Sequence, residues 1–414
     1  MELTMISRLL REAFPGINIP TLDNYYESYI KVWADIYAGK PPWRAAKRSG
    51  LHSRGERIIG QMNAAKAICD EFTALTFAEK VNITLDNPIL QDYIDFTLSE
   101  TSFYEQIQGF ITSAYALGGG CMKFYLEDGR PCIDFLTADK MYPLSWRNGR
   151  IKEIAFSSQE TADGKYITSI EKYSPGKTEN LCFLSDNRLT LGKRISGSIP
   201  EVITGNGAGL FAVFSPASAN HIDPDCPLGV SVFSGALDTL KALDIAFDSF
   251  MREFILGKKR IIVPAASIQT VIDPESGEMT RYFDADDEAF VALKTEDTEA
   301  LKIADNTVAL RIDEHVQAIE ALYKMLCFQT GVSSGTFSMS NGLHYYTKTA
   351  SEVMSQNAKS ARTVRLNQNK LTETLKTTVA ALLKLGLETG DIDTNETRVD
   401  IAFSDNVITA DALK

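Results

Sequence analysis

PLGVSVFSGALDTLKALDIAFDSFMREFILGKKRIIVP, residues 227–264, decides how this chain is read. Phe233, Leu237, Leu240, Leu243, Phe247, Phe250 and Phe254 recur at three- or four-residue spacing for about seven turns, which predicts one amphipathic helix over 230–257. Gly257 ends it. The cationic triplet Lys258-Lys259-Arg260 follows, then short strands with a turn at Pro274–Gly277, in a small insert that closes near 305. A second helix is predicted over 311–330, with Ile312, Val316, Ile319, Tyr323 and Leu326 on its apolar side. Two long helices bracketing a compact insert predict a helical hairpin stalk with a head on its tip.

Toward the C-terminus, the Gly/Ser-rich stretch GVSSGTFSMSNG (331–342) leads into a long helix expected over 349–387, and a strand, VDIAF, lies near the end. Toward the N-terminus, residues 1 to about 117 read mainly as helices. Tyr26, Ile30, Trp33, Ile36 and Tyr37 share one helical face that Pro41-Pro42 closes, and Ala65, Ile68, Phe72 and Leu75 share another. A helical region from Asn87-Pro88 stops at Gly118-Gly119-Gly120, read as a helix stop and sharp turn. From 120 to about 215 the pattern changes to short alternating strands, with Asp128-Gly129 and Asn148-Gly149 as hairpin turns.

The 414 residues are 44% hydrophobic and 23% charged, the composition of an ordinary globular chain of two or three domains. No apolar run approaches the ~18 residues of a membrane span, and Arg8, Arg11 and Glu12 interrupt the opening stretch, so no signal peptide is expected. The net charge of -12 argues against gripping nucleic acid over the general surface, since each gripped phosphate needs a cation. It is compatible with letting nucleic acid pass without sticking. Six scattered cysteines with no C-x-x-C pair read as free, mostly buried thiols of a reducing compartment, and four histidines without ligand spacing make a metal site improbable.

The motifs that resemble catalytic or ligand-binding signatures fail on context. GVSSG at 331–335 fits G-x-S-x-G, but a helix precedes Ser333, and no Asp or Glu lies between it and His344, the last histidine. GKT at 176–178 has Glu171 where a phosphate-binding loop needs glycine. DADDE at 284–288 continues with Ala289 and Thr295 where a calcium loop needs Gly and Glu. The insert is acidic, eleven carboxylates against three cations over 273–305, and reads as a solvated face, a docking surface or a wall that repels a polyanion. Helix 345–384 is the opposite, seven cations against two acids, with phosphate contact and a subunit interface both open. No nucleophile–base set or carboxylate pair emerges, so the chain does not read as an enzyme and implies no cofactor.

WADIYAGKPPW (33–43), MNAAKAICDEFTALTF (62–77), YALGGGCMKFY (115–125), residues 227–264, TKTASEVMSQNAKSARTV (347–364) and VDIAFSDNVI (399–408) together resemble the portal proteins of tailed bacteriophages of Gram-positive bacteria. The resemblance implies an α+β portal fold: an α/β wing over 1–226, a stem hairpin (227–257 and 306–330), and a small α/β clip at 258–305. A tunnel loop (331–346), a long helix toward the crown (347–390) and a return strand to the wing (391–414) complete it. It further implies a ring of about twelve subunits at one capsid vertex, through whose channel double-stranded DNA is packaged and ejected without sequence specificity.

Implied partners are the terminase large subunit, head-completion or adaptor proteins, and the major capsid and scaffolding proteins, in the virion after assembly in the host cytoplasm, with no membrane. Asp238, Asp244, Asp248, Lys258, Lys259, Arg260, Asp313, Glu314 and Glu320 are the expected channel-lining stem residues. Ser333, Ser334, Thr336, Ser338, Ser340, Asn341 and His344 are the expected DNA-facing loop, and Asp284, Asp286, Asp287 and Glu288 the expected docking face. Family members usually continue beyond a strand like VDIAFSDNVI, so crown elements are expected to be missing or trimmed at Lys414. The alternatives are a serine hydrolase using Ser333, or another phage head or connector protein.

Overall fold

The computed structural model describes residues 6–50, 53–77, 81–195, 201–203, 209–257, 261–264, 270–272, 279–281, 290–293, 304–305, 309–333, 350–388 and 397–403. Its helices are α1 (Ile6–Ala13), α2 (Asp23–Tyr25), α3 (Lys31–Tyr37), α4 (Ala64–Thr76), α5 (Pro88–Glu100), α6 (Phe103–Leu117), α7 (Leu237–Leu256), α8 (Ile312–Thr330) and α9 (Ala350–Glu388). With the strands described below, the chain is α+β. It divides into two compact units, one of residues 1–43, 63–240 and 324–414, the other of 44–62 and 241–323.

In the larger unit, α2 and α3 are joined without a break by a π-helical turn, Tyr26–Ile30. Tyr26 is fully buried, stacks on Tyr142 at 5.3 Å and donates its hydroxyl to the Met141 carbonyl, so its ring and its polar tip are both satisfied. The helical region expected from 88 onward is two helices. Thr101 caps α5 by bonding back to the Thr97 carbonyl at 2.8 Å, and Ser102 turns left-handed (φ +49°) before α6. Leu90, Ile94 and Leu98 of α5 and Ile107, Phe110, Ile111 and Ala114 of α6 form the apolar stripes that bury.

Strands Phe211–Phe214, Gly120–Glu127 and Arg130–Thr137 form one antiparallel sheet, and a meander of Met141–Arg147, Arg150–Ala162, Lys165–Ser174 and Lys177–Ser185 forms another, extended by Lys193–Arg194 and Glu201–Ile203. Asp128-Gly129 and Asn148-Gly149 close hairpins as their sequence predicts. A third turn of the same kind, Asp163-Gly164, joins the two longest strands, with both of its residues at positive φ. Val399–Ala402 pairs antiparallel with Asn82–Leu85, Ile401 opposite Ile83. α9 packs along the first sheet, where Thr374 Oγ1 bonds the Val213 carbonyl at 3.1 Å and Leu371, Leu375, Val379 and Leu382 are buried.

The smaller unit holds most of α7 and α8, a hairpin of Ala45–Gly50 with Ser53–Ile58, and the described strands of the insert. Residues 44–62 therefore group with 241–323 and not with the rest of 1–226. Within the insert Ile261–Pro264 pairs parallel with Phe290–Leu293 and antiparallel with Ala304–Asp305, while Thr270–Ile272 pairs with Met279–Arg281. The described part of the insert is thus all strand.

Candidate functional site: a two-helix stalk and its charged surroundings

α7 begins at Leu237, later than the periodicity suggests, because residues 229–233 are engaged elsewhere. Val232 N–H and Ser231 Oγ both bond the Tyr115 carbonyl at the end of α6, and Phe233 is fully buried. Within the larger unit the first turn of α7 is tied to the last of α8 by Thr239 Oγ1 donating to Gln329 Oε1 at 2.8 Å. Within the smaller unit the last turn of α7 is tied to the first of α8. There Glu253 receives Arg311 Nε at 3.1 Å, Nη2 at 3.0 Å and its backbone N–H at 3.3 Å, with His315 Nε2 3.6 Å away. Phe250 packs edge-on against both Phe254 (5.1 Å) and His315 (5.9 Å).

The hydrogen bonds from the Arg311 guanidinium, then from its backbone N–H, hold the Glu253 carboxyl down at about 2. A carboxylate whose folded-state value is depressed adds stability above its ordinary value near 4.3 and loses it as the pH falls toward 2. The tie between helix ends is therefore expected to survive at pH 4. Carboxylate carbon shifts followed by NMR titration should show Glu253 titrating near 2 in the native chain and near 4 in Arg311→Gln.

The expected stem acids fall into two groups. Asp238, Asp313 and Glu314 are exposed. Asp244 and Asp248 are 7% exposed and turn inward, onto residues 57–62. Asp248 takes both oxygens to Arg57 Nη1 at 2.7 Å and also accepts Gly60 N–H at 3.0 Å, while Asp244 accepts Met62 N–H at 3.1 Å. Burial alone would raise the Asp248 carboxyl, but Gly60 N–H and Arg57 outweigh it and hold it below the ordinary range. These two charges are spent within the subunit, as a hook for the 44–62 segment. Glu320 is half-buried, with Oε1 making no hydrogen bond.

Apolar side chains lie open on the same helices. The last turns of α7 expose Met251, Phe254, Ile255 and Leu256 at 43–60%, and Leu310 and Ile312 at the entry to α8 are 38% and 41% exposed. In the larger unit Phe328 is 76% exposed, with Lys359 Nζ 4.4 Å above its ring and bonded to its carbonyl at 2.8 Å. A helix end that is apolar around more than one side wants a partner.

Ser333 follows α8, is 8% exposed, and donates its N–H to Ser360 Oγ at 2.7 Å. The element that leads to Ser333 is the helix α8, where a nucleophile elbow needs a strand. Ser334, Thr336, Ser338, Ser340, Asn341, His344, Lys258, Lys259, Arg260, Asp284, Asp286, Asp287 and Glu288 lie outside the described residues.

Two features were missed in the sequence. A cleft of about 1140 Å³ in the larger unit is lined by Lys123, Tyr125, Asp134, Glu171 and Tyr173 among others. Lys123 Nζ sits 2.9 Å from Asp134 and 3.1 Å from Glu171, which Tyr125 and Tyr173 bond in turn. Burial works against the lysine's charge, but Glu171 and then Asp134 raise its affinity for the proton. The cluster is satisfied within itself and braces one sheet against the other. The second feature is the buried hook at Arg57, whose polar surroundings carry no periodic signal. The six cysteines are all free, and Cys69, Cys121, Cys226 and Cys327 are buried. Among the described residues no three His, Cys, Asp or Glu side chains cluster to hold a metal, and no helix is long and apolar enough to cross a membrane.

Two long helices, α7 and α8, thus bracket an insert whose described part is all strand, and α9 lies along the three-stranded sheet of the larger unit. A family model described as phage portal protein, SPP1 Gp6-like, matches residues 17–414, and the chain belongs to that family. No curated protein matches it. The family is one of virion structural proteins associated with DNA packaging.

Proposed function

We propose that copies of this chain close into a ring of about twelve at one capsid vertex, with α7 and α8 walling a channel that passes double-stranded DNA during packaging and ejection. The observation that carries the reading is the exposed apolar surface on these helices, Met251, Phe254, Ile255, Leu256, Leu310 and Ile312, which side-by-side copies would cover. The lumen charge rests on Asp238, Asp313 and Glu314, whose exposure lets them face passing phosphates and weaken adhesion. The insert 258–305 docks the terminase large subunit during packaging and head-completion proteins afterwards. The residues 331–346 form the loop nearest DNA, and capsid and scaffolding proteins meet the wing. Motor activity belongs to the terminase, so the purified ring hydrolyses no ATP.

Negative-stain class averages viewed down the symmetry axis should show a ring with a central hole. Phe254→Ser/Ile255→Ser should shift the population toward monomer by roughly ten-fold or more in the concentration needed to assemble, from the loss of a few kcal/mol of apolar burial per interface. A native chain that stays monomeric or dimeric at micromolar concentration would remove the proposal.

A further inference from the structure

We infer that neighbouring copies are joined, beyond the stalk, by a head-to-tail contact between the acidic outer face of α5 in one copy and the basic outer face of α9 in the next. The inference rests on the ring proposed above and names the surfaces that close it. Residues 81–122 carry five carboxylates and no Lys or Arg. Asp92 and Asp95 stand exposed on α5 beside Ile89 and Phe96, which are 72% and 64% exposed. The opposite side of α5 is the buried one, so this apolar pair is a second stripe, rimmed by acid and covered by nothing among the described residues.

Residues 358–384 carry six cations against one carboxylate. Arg362 and Arg365 stand exposed on α9 beside Leu366, itself 58% exposed, and neither arginine ion-pairs among the described residues. Each face thus has an apolar centre and a rim of a single sign, and the signs are opposite. That is the arrangement that sets register and partner choice between protein surfaces.

Geometry selects the mode of contact. α5 meets α9 inside one copy near Leu382, whose carbonyl accepts the Tyr93 hydroxyl at 3.4 Å. Arg365 lies 17 residues back along the same helix, about 25 Å at 1.5 Å per residue. The two faces are separate patches on one subunit, and pairing either with itself would oppose like charges. The occupant of each is therefore the other face of a second copy, a heterologous contact of the kind that generates rings when the rotation closes.

The test uses two full-length variants, Asp92→Lys/Asp95→Lys and Arg362→Glu/Arg365→Glu. Like charges at close quarters should raise the concentration needed for assembly roughly 100-fold in each variant alone, equivalent to about 2.7 kcal/mol. Mixed one to one, the variants should restore rings of native size in which the two alternate, seen as equal stoichiometry by native mass spectrometry. Circular dichroism and melting temperature of each variant should match the native chain, since all four positions are exposed. If Asp92→Lys/Asp95→Lys loses helical signal, Asp92→Asn/Asp95→Asn makes the same test through a roughly ten-fold rise in assembly concentration.

A native ring that either variant forms alone with unchanged assembly overturns the contact and leaves the ring standing. Mixtures that fail to assemble also overturn it. Loss of DNA retention with an intact ring in Arg362→Glu/Arg365→Glu would assign the α9 face to DNA, overturning the contact as well. A native chain that never assembles overturns the ring reading instead.

Discussion

Gly118→Ala is expected to destabilise the chain by about 4 kcal/mol, enough to abolish soluble folding of a marginal domain. Gly118 ends α6 at φ +82°, where a Cβ would lie 2.5 Å from the Gly229 carbonyl oxygen and 2.9 Å from the Val230 carbonyl carbon. Those are main-chain atoms of the segment hydrogen-bonded to Tyr115, so no side-chain rotation relieves the clash. The left-handed backbone adds about 1–2 kcal/mol for any residue with a Cβ. Gly129→Ala is the matched control. Its φ is +77°, but nothing lies within 4 Å of the added carbon, so only the conformational cost of about 1 kcal/mol should appear. Urea midpoints of the two variants, compared with the native chain, separate crowding from conformation.

Arg57→Ala should cost about 3 kcal/mol, because it leaves the buried Asp248 carboxylate without its cation. Arg57→Ala/Asp248→Asn should recover most of that loss, since a neutral amide oxygen still accepts Gly60 N–H without demanding a charge. Asp248 is held below the ordinary carboxylate range, so the pair contributes fully above about pH 4 and fades as the pH drops through the lowered value. Protease cleavage within 44–62 should accelerate in the single variant and return toward native rates in the double. Equal cleavage in all three proteins would mean that the ion pair does not hold this segment.

The parts of the architecture that local chemistry dictates were readable. Asp128-Gly129 and Asn148-Gly149 announce their hairpins because two successive left-handed residues suit few other pairs, and Asp163-Gly164 carries the same signal. The α8 stripe of Ile319, Tyr323 and Leu326 is buried as its spacing predicts. Phe254, counted with the buried face of α7, is instead 43% exposed, which a single-chain periodicity has no means of anticipating. The hairpin in 45–58 was invisible because AAKRSG and SRGERI lack alternation. Of the stem acids, spacing marks them all alike. Only the fold separates Asp244 and Asp248, which answer the amides of Gly60 and Met62, from Asp238, Asp313 and Glu314.

The pairing of Asn82–Leu85 with Val399–Ala402 has a bearing on how the polypeptide is made. Val399 emerges from the ribosome 314 residues after Leu85, roughly 16 to 60 s later at 5–20 residues per second. Throughout that interval the earlier strand waits with an open edge beside the exposed Ile89 and Phe96, a setting in which nascent chains on one message can stick to each other. Slowing translation over the last hundred codons would lengthen this vulnerable period and lower the yield of soluble protein.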